Sequence, residues 1–158
     1  MDYDIEVRKL SEYFIADYPE IKYPELMHKM GRPYSCLLVD THSDYLICIP
    51  FRSQINHGNS FLFRESKRSL IKKSGLDYSK IVLIKDLKYI ANENAVVDQD
   101  EYNEVRKNLD SIVSEVTDYI DDYIGYITGV SIINTKQYDR RYRYSTLPYF
   151  HDVMGLSE

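Results

Sequence analysis

Residues 50–60, PFRSQINHGNS, bring Arg52, Ser53, Asn56, His57 and Asn59 into one short polar stretch directly after an apolar run. A second polar group, His28, Lys29 and Arg32, stands just before the preceding apolar run. Together they hold what metal-free RNA cleavage requires. A base takes the proton of a ribose 2′-hydroxyl, which attacks the adjacent phosphorus. An acid protonates the departing 5′-oxygen, and cations with hydrogen-bond donors steady the phosphate as charge develops. Histidine titrates near neutrality, so His57 and His28 are the candidates for proton transfer. Arg52 or Arg32 can clamp phosphate oxygens through two nitrogens at once. Lys29 adds a point charge and Ser53 a neutral donor. A loop histidine paired with nothing and an arginine paired with a surface acid are the alternatives.

Strands are needed to hold these groups. Tyr34–Asp40 and Asp44–Pro50 are apolar runs of strand length, and Thr41-His42-Ser43 links them, which predicts a hairpin. Such a hairpin sets the start of its first strand beside the end of its second, and so His28, Lys29 and Arg32 near Arg52, Ser53 and His57. Neither run alternates, which suggests burial on both faces, as in a small barrel. Further short strands are expected at 61–63 and 81–87, the latter with Tyr89-Ile90 as its extension. Residues 4–16 read equally as a short helix or a strand. Pro19, Pro24 and Pro33 make 17–33 largely loop, with room for one helical turn over Glu25–Met30. Gly75 ends the basic stretch 64–74.

One helix stands out. Asp98 and Glu101 have capping-box spacing, and Val105, Leu109, Ile112, Val113, Val116, Ile120 and Ile124 follow on one face until Gly125 and Gly129. The expected fold is therefore α+β: a compact, strongly bent antiparallel β-barrel core with surrounding helices, including a long one near 98–124, in a single domain over all 158 residues.

The net charge of −5 is uneven. Residues 98–122 carry nine acids against two bases, residues 28–97 eleven bases against six acids, and residues 136–144 four bases against one acid. Local field matters more to a polyanion than total charge, and an acidic helix facing away from basic strands would reconcile the two. The tail QYDRRYRYSTLPYFH interleaves Arg140, Arg141 and Arg143 with Tyr138, Tyr142, Tyr144 and Tyr149. That pattern suits stacking on unpaired bases, and it suits packing onto the core equally well.

Other classes lack support. There is no P-loop, dinucleotide-binding glycine pattern, HExxH or GxSxG. Cys36 and Cys48 lie inside apolar runs without zinc spacing and read as buried free thiols. No metal or cofactor is expected. No apolar run reaches the roughly 20 residues of a membrane helix. The opening residues MDYDIEVRKLSEYF are too charged for a secretory signal, so a cytoplasmic protein is expected.

Several stretches, taken in order, resemble the type III toxin–antitoxin endoribonucleases (the ToxN, AbiQ, CptN and TenpN group), and the CptN/TenpN branch above all. They are KMGRPYSCLLVD at 29–40, DYLICIPFRSQINH at 44–57, KSGLDYSKIVLIKDL at 73–87, the helix from Asp98, and RRYRYSTLPYFH at 140–151. The resemblance implies an SH3-like barrel similar to the MazF/Kid toxins. It implies metal-independent cleavage of cellular mRNA that leaves a 2′,3′-cyclic phosphate. It also implies inhibition by a small, structured RNA antitoxin, which the toxin cuts from a repeat precursor and holds in a closed protein–RNA assembly. In ToxN-like members a Thr-Ser pair follows the second strand, with a lysine beyond it. Ser53 matches the serine, Arg52 stands at the threonine and Ile55 at the lysine. Arg32 matches a lysine before the first strand, and His28 a tyrosine four residues earlier. Ser53 and Arg52 are thereby expected at the phosphate and His57 or His28 at proton transfer. Lys29, Asn56, Arg64, Lys67, Arg68, Lys72, Lys73, Arg140, Arg141, Tyr142, Arg143 and Tyr144 are expected to grip RNA. A non-catalytic RNA-binding barrel and a MazF-like toxin neutralised by a protein are the competing expectations.

Overall fold

The computed structural model of the chain describes residues 4–26 and 35–156. The predicted hairpin is present: β2 (Ser35–Asp40) pairs antiparallel with β3 (Leu46–Arg52), with Cys36 opposite Pro50 and Val39 opposite Ile47. Four consecutive residues of each strand are buried, Cys36–Val39 and Ile47–Pro50, which explains why neither run alternates. The cysteines are buried free thiols, as expected.

The ambiguous N-terminal stretch is both things in turn. β1 (Asp4–Leu10) pairs with β2, and α1 (Glu12–Asp17) follows it. β4 (Ser60–Leu62), β5 (Gly75–Asp77), β6 (Val82–Ile84) and β7 (Ile90–Asn94) complete an antiparallel sheet ordered β4-β5-β3-β2-β1-β7, with β6 also on β3. β3 is shared: Leu46–Cys48 pair with β6, and Phe51 and Arg52 with β5. The stretch after Ile84 does not extend β6. It turns through Leu87–Tyr89 and crosses to β1 as β7.

The expected barrel is not formed. β4 and β7 are the outer strands, and no ladder joins them among the described residues. β4 and β5 at one end have three residues each, and at the other end the β1–β7 register shifts between Arg8 and Leu10, so the outer ladders are short or irregular.

The predicted long helix is two. α3 (Gln99–Lys107) ends at Asn108 and α4 (Leu109–Ile127) begins there. The Asn108 amide donates to both Glu104 O and Val105 O, and its side chain to Glu104 O at 2.8 Å, which ends α3. Glu101 is not part of a capping box: Asp98 makes no side-chain cap. Val105, Ile112, Val116 and Ile120 are buried, and Leu109, Val113 and Ile124 pack at the margin of the core. α4 continues past Gly125 and ends near Gly129, whose φ of 79° favours glycine. α2 (Lys67–Ile71) starts at Ser66, whose hydroxyl accepts the Ser69 amide, and α5 (Thr135–Tyr142) starts with a true capping box between Asn134 and Gln137. No helix among the described residues is long and apolar enough to cross a membrane.

Candidate active site

The site forms where β3 ends, because β5 returns against it. Phe51 lies opposite Leu76 and Arg52 opposite Gly75. On its other edge β5 meets β4, and that approach requires glycine at 75, where any Cβ would collide with the Phe61 carbonyl. Asp77, the last residue of β5, is then fully buried beside Arg52 and His57.

Asp77 is the centre of the constellation. Its Oδ2 accepts Arg52 Nη1 at 2.6 Å and lies 3.3 Å from His57 Nε2. Its Oδ1 accepts the Ser79 amide at 2.9 Å and the Ser79 hydroxyl at 2.6 Å. Burial pushes its pKa up, but the hydrogen bonds from His57, Ser79 and Arg52 outweigh burial and hold it below the usual carboxylate range.

His57 is fixed at both ring nitrogens. The Asn59 amide donates to Nδ1 at 3.1 Å, so the network places the ring proton on Nε2, facing Asp77. The turn around it is tied down by Ser60 Oγ on His57 O, by Tyr78 N on Asn59 O, and by Asn59 Nδ2 on the Arg141 carbonyl of α5. Chemically this is a carboxylate–imidazole pair with a guanidinium on the same carboxylate. Nδ1 is the ring nitrogen able to take a proton, and Arg52, 35% exposed, keeps donors for a further anion.

Two clefts meet at His57 and Gly58. One, of about 590 Å³, runs between β4 and the α3–α4 junction. The other, of about 530 Å³, lies between Asn59 and the α5 residues Gln137, Arg140 and Arg141.

Other expected residues fall as follows. Ser53 is half-buried next to Arg52 and has no hydrogen-bond partner among the described residues. Gln54, at φ 59°, turns the chain so that Asn56 is exposed while Ile55 is buried, its amide donating to Lys73 O. His28, Lys29 and Arg32 lie outside the described residues.

The basic segment does not face away from the acidic helix; it is bound to it. Arg68 makes a two-pronged pair with Glu101, both bonds 3.0 Å. The amides of Arg64 and Glu65 donate to the Glu104 carboxylate, Lys67 N donates to Asp100, and Lys107 pairs with Glu65. The side chains of Arg64, Lys67, Lys72 and Lys73 remain exposed. In the tail, Tyr142 is part of the core: it is 2% exposed, its hydroxyl donates to Tyr119 O, and it offers no face to a base. The Arg141 guanidinium lies over the Tyr119 and Tyr142 rings and pairs with Asp122 at 2.6 Å. Arg140 and Arg143 are exposed, as is Tyr144, whose ring carries the Arg143 guanidinium.

Sequence reading missed Asp77 and Ser79. KSGLDYSK shows an Asp-x-Ser turn, but nothing in one dimension says that this turn sits beneath Arg52 and His57. Among the described residues no three His, Cys, Asp or Glu side chains converge as a metal site would need. Comparison of the chain with protein-family models, with curated proteins and with solved structures finds no match.

Proposed function

We propose that the protein is a metal-independent endoribonuclease, the toxin of a pair whose antitoxin is a small structured RNA. The observation that supports this best is the His57 ring held between a buried carboxylate and the mouth of two clefts, with Arg52 on the same carboxylate. Asp77 keeps the proton on Nε2, so Nδ1 acts as the base. The ribose 2′-hydroxyl replaces the Asn59 amide on Nδ1 and loses its proton there. The 2′-oxygen then attacks phosphorus, and the 5′-oxygen leaves with a proton, for which His28 is the candidate donor. Arg52 and Ser53 face the phosphate as its charge grows. The exposed cations Arg64, Lys67, Lys72, Lys73, Arg140 and Arg143, together with Tyr144, hold the antitoxin and the substrate mRNA. Arg68, Arg141 and Tyr142 support this surface from within.

A second reading, an RNA-binding protein without cleavage, draws on one observation: both nitrogens of His57 are already engaged by the protein. One experiment separates the two. The purified protein is incubated with cellular RNA in excess EDTA and the ends are mapped. Fragments with 2′,3′-cyclic phosphate that vanish with His57→Ala support the nuclease. RNA retention with intact RNA, unchanged by His57→Ala, supports the binding module. Purification with the native upstream DNA tests the antitoxin: a bound RNA of one repeat length is expected, and nucleic-acid-free protein would overturn that part.

A further inference from the structure

The larger cleft at His57 has a chemistry of its own. Its wall is Phe61 and Leu62 of β4, and at Gly58 a Cβ would meet open space, so the cleft is unobstructed there. Most of its polar groups are already used within the protein. Glu104 accepts the amides of Arg64 and Glu65, Glu65 pairs with Lys107, and the Asn108 amide group donates to Glu104 O. Two groups lie outside this network. Glu115 spends only Oε1, on the Tyr78 hydroxyl at 2.8 Å. The Arg64 guanidinium has no partner among the described residues.

Tyr78 is buried, and its phenol is pushed far above its ordinary pKa by burial and by Glu115, so it stays a neutral donor. It fixes one carboxylate oxygen of Glu115, a residue that lines the cleft, and leaves spare lone pairs on both. The cleft therefore offers an aromatic wall, a pre-aimed carboxylate and a free guanidinium within a volume ordinary for small-ligand sites.

We propose that this cleft is a guanine-nucleotide subsite, in which the Glu115 carboxylate reads the guanine N1–H and N2–H donors and Arg64 meets the phosphate. Guanine is the RNA base that presents two adjacent donors on its pairing edge, the match for a carboxylate. Adenine presents an acceptor at N1, which a carboxylate repels. Phe61 supplies the stacking face. The proposal rests on the nuclease reading for its purpose, placing a guanosine next to the cleaved bond at His57, but binding is measured without cleavage.

The test is calorimetric titration of the full chain with 5′-GMP and with 5′-AMP. GMP is expected to bind about tenfold or more tighter than AMP, the discrimination that one two-bond base contact supplies. Glu115→Gln keeps an oxygen for the Tyr78 hydroxyl, so the fold is retained, while the preference for GMP falls to about one. Arg64→Ala should weaken GMP but leave guanosine unaffected. Equal binding of GMP and AMP, or a preference untouched by Glu115→Gln, overturns the proposal. Guanine-selective binding by a protein that cuts no RNA would remove the nuclease reading and leave the subsite standing. Cleavage at sites with no guanosine beside the cut would remove the subsite and leave the nuclease.

Discussion

Asp77 and Glu101 are both buried carboxylates paired with an arginine, yet their surroundings push them in opposite directions. Asp77 receives donors from Arg52, His57 and the Ser79 amide and hydroxyl, and its pKa is lowered despite burial. For Glu101 burial is the larger influence, raising its pKa; Arg68 works against it, and Asp98 and Asp100 add to the rise. Enough donors make a buried charge a fixed centre around which side chains can be aimed. One arginine beside other acids makes a clamp that tolerates losing the charge. The first arrangement gathers the candidate site; the second fastens α2 to α3.

The sharpest way to break this comparison is to remove Asp77. Asp77→Ala leaves Arg52, His57 and Ser79 without their shared acceptor and should cost about 3–5 kcal/mol in urea unfolding. A cost below about 1 kcal/mol would show that the four donors do not depend on the charge. Asp77→Asn, of the same shape, should keep a folded chain and still lose RNA cleavage, because the amide cannot hold the Nε2 proton in the same way. Retained cleavage would reduce Asp77 to a structural group. His57→Ala should lower cleavage by about 10²–10⁴-fold with little change in unfolding midpoint, and a large loss of stability with unchanged cleavage would exchange those roles.

pH sharpens the same contrast. A lowered Asp77 pKa means that the unfolded chain takes up this proton more readily than the folded one. The Asp77 contribution is therefore complete above the unfolded value of about 3.9 and is lost as pH falls through the folded value. Glu101 has the opposite sign: its contribution is complete below the unfolded value of about 4.3 and is lost as pH rises through its raised folded value. Asp77→Asn should thus flatten the acid limb of the stability profile, and Glu101→Gln should leave that limb in place. At neutral pH Glu101→Gln should change stability by under about 1 kcal/mol. A loss comparable to that of Asp77→Ala would erase the distinction.

The hairpin, the apolar stripe of the long helical region and the polar stretch 52–59 were legible because each is written within a short window. Leu37–Ile49 and Leu38–Cys48 are cross-strand neighbours over a short connection, and Val105 to Ile124 follow one helical period. The break at Asn108 was not legible, since the apolar spacing runs straight across it. The open sheet was not legible either. Closure depends on whether β4 and β7 meet, and three-residue strands carry little signal. Asp77 stayed hidden for a related reason: its neighbours Arg52 and His57 are 25 and 20 positions away and meet it only through the β3–β5 pairing. The charge pattern misled where it suggested separate faces, because Arg68 and Glu101, 33 positions apart, are direct partners.

β4 carries one wall of the larger cleft, yet it is a three-residue edge strand that, among the described residues, pairs with β5 alone. β2, by contrast, lies between β1 and β3 and is buried along its middle. Local opening free energy follows such differences, so amide exchange at Ser60–Leu62 should outpace that at Leu37–Val39 by orders of magnitude. Local opening of β4 then leaves the central strands shut.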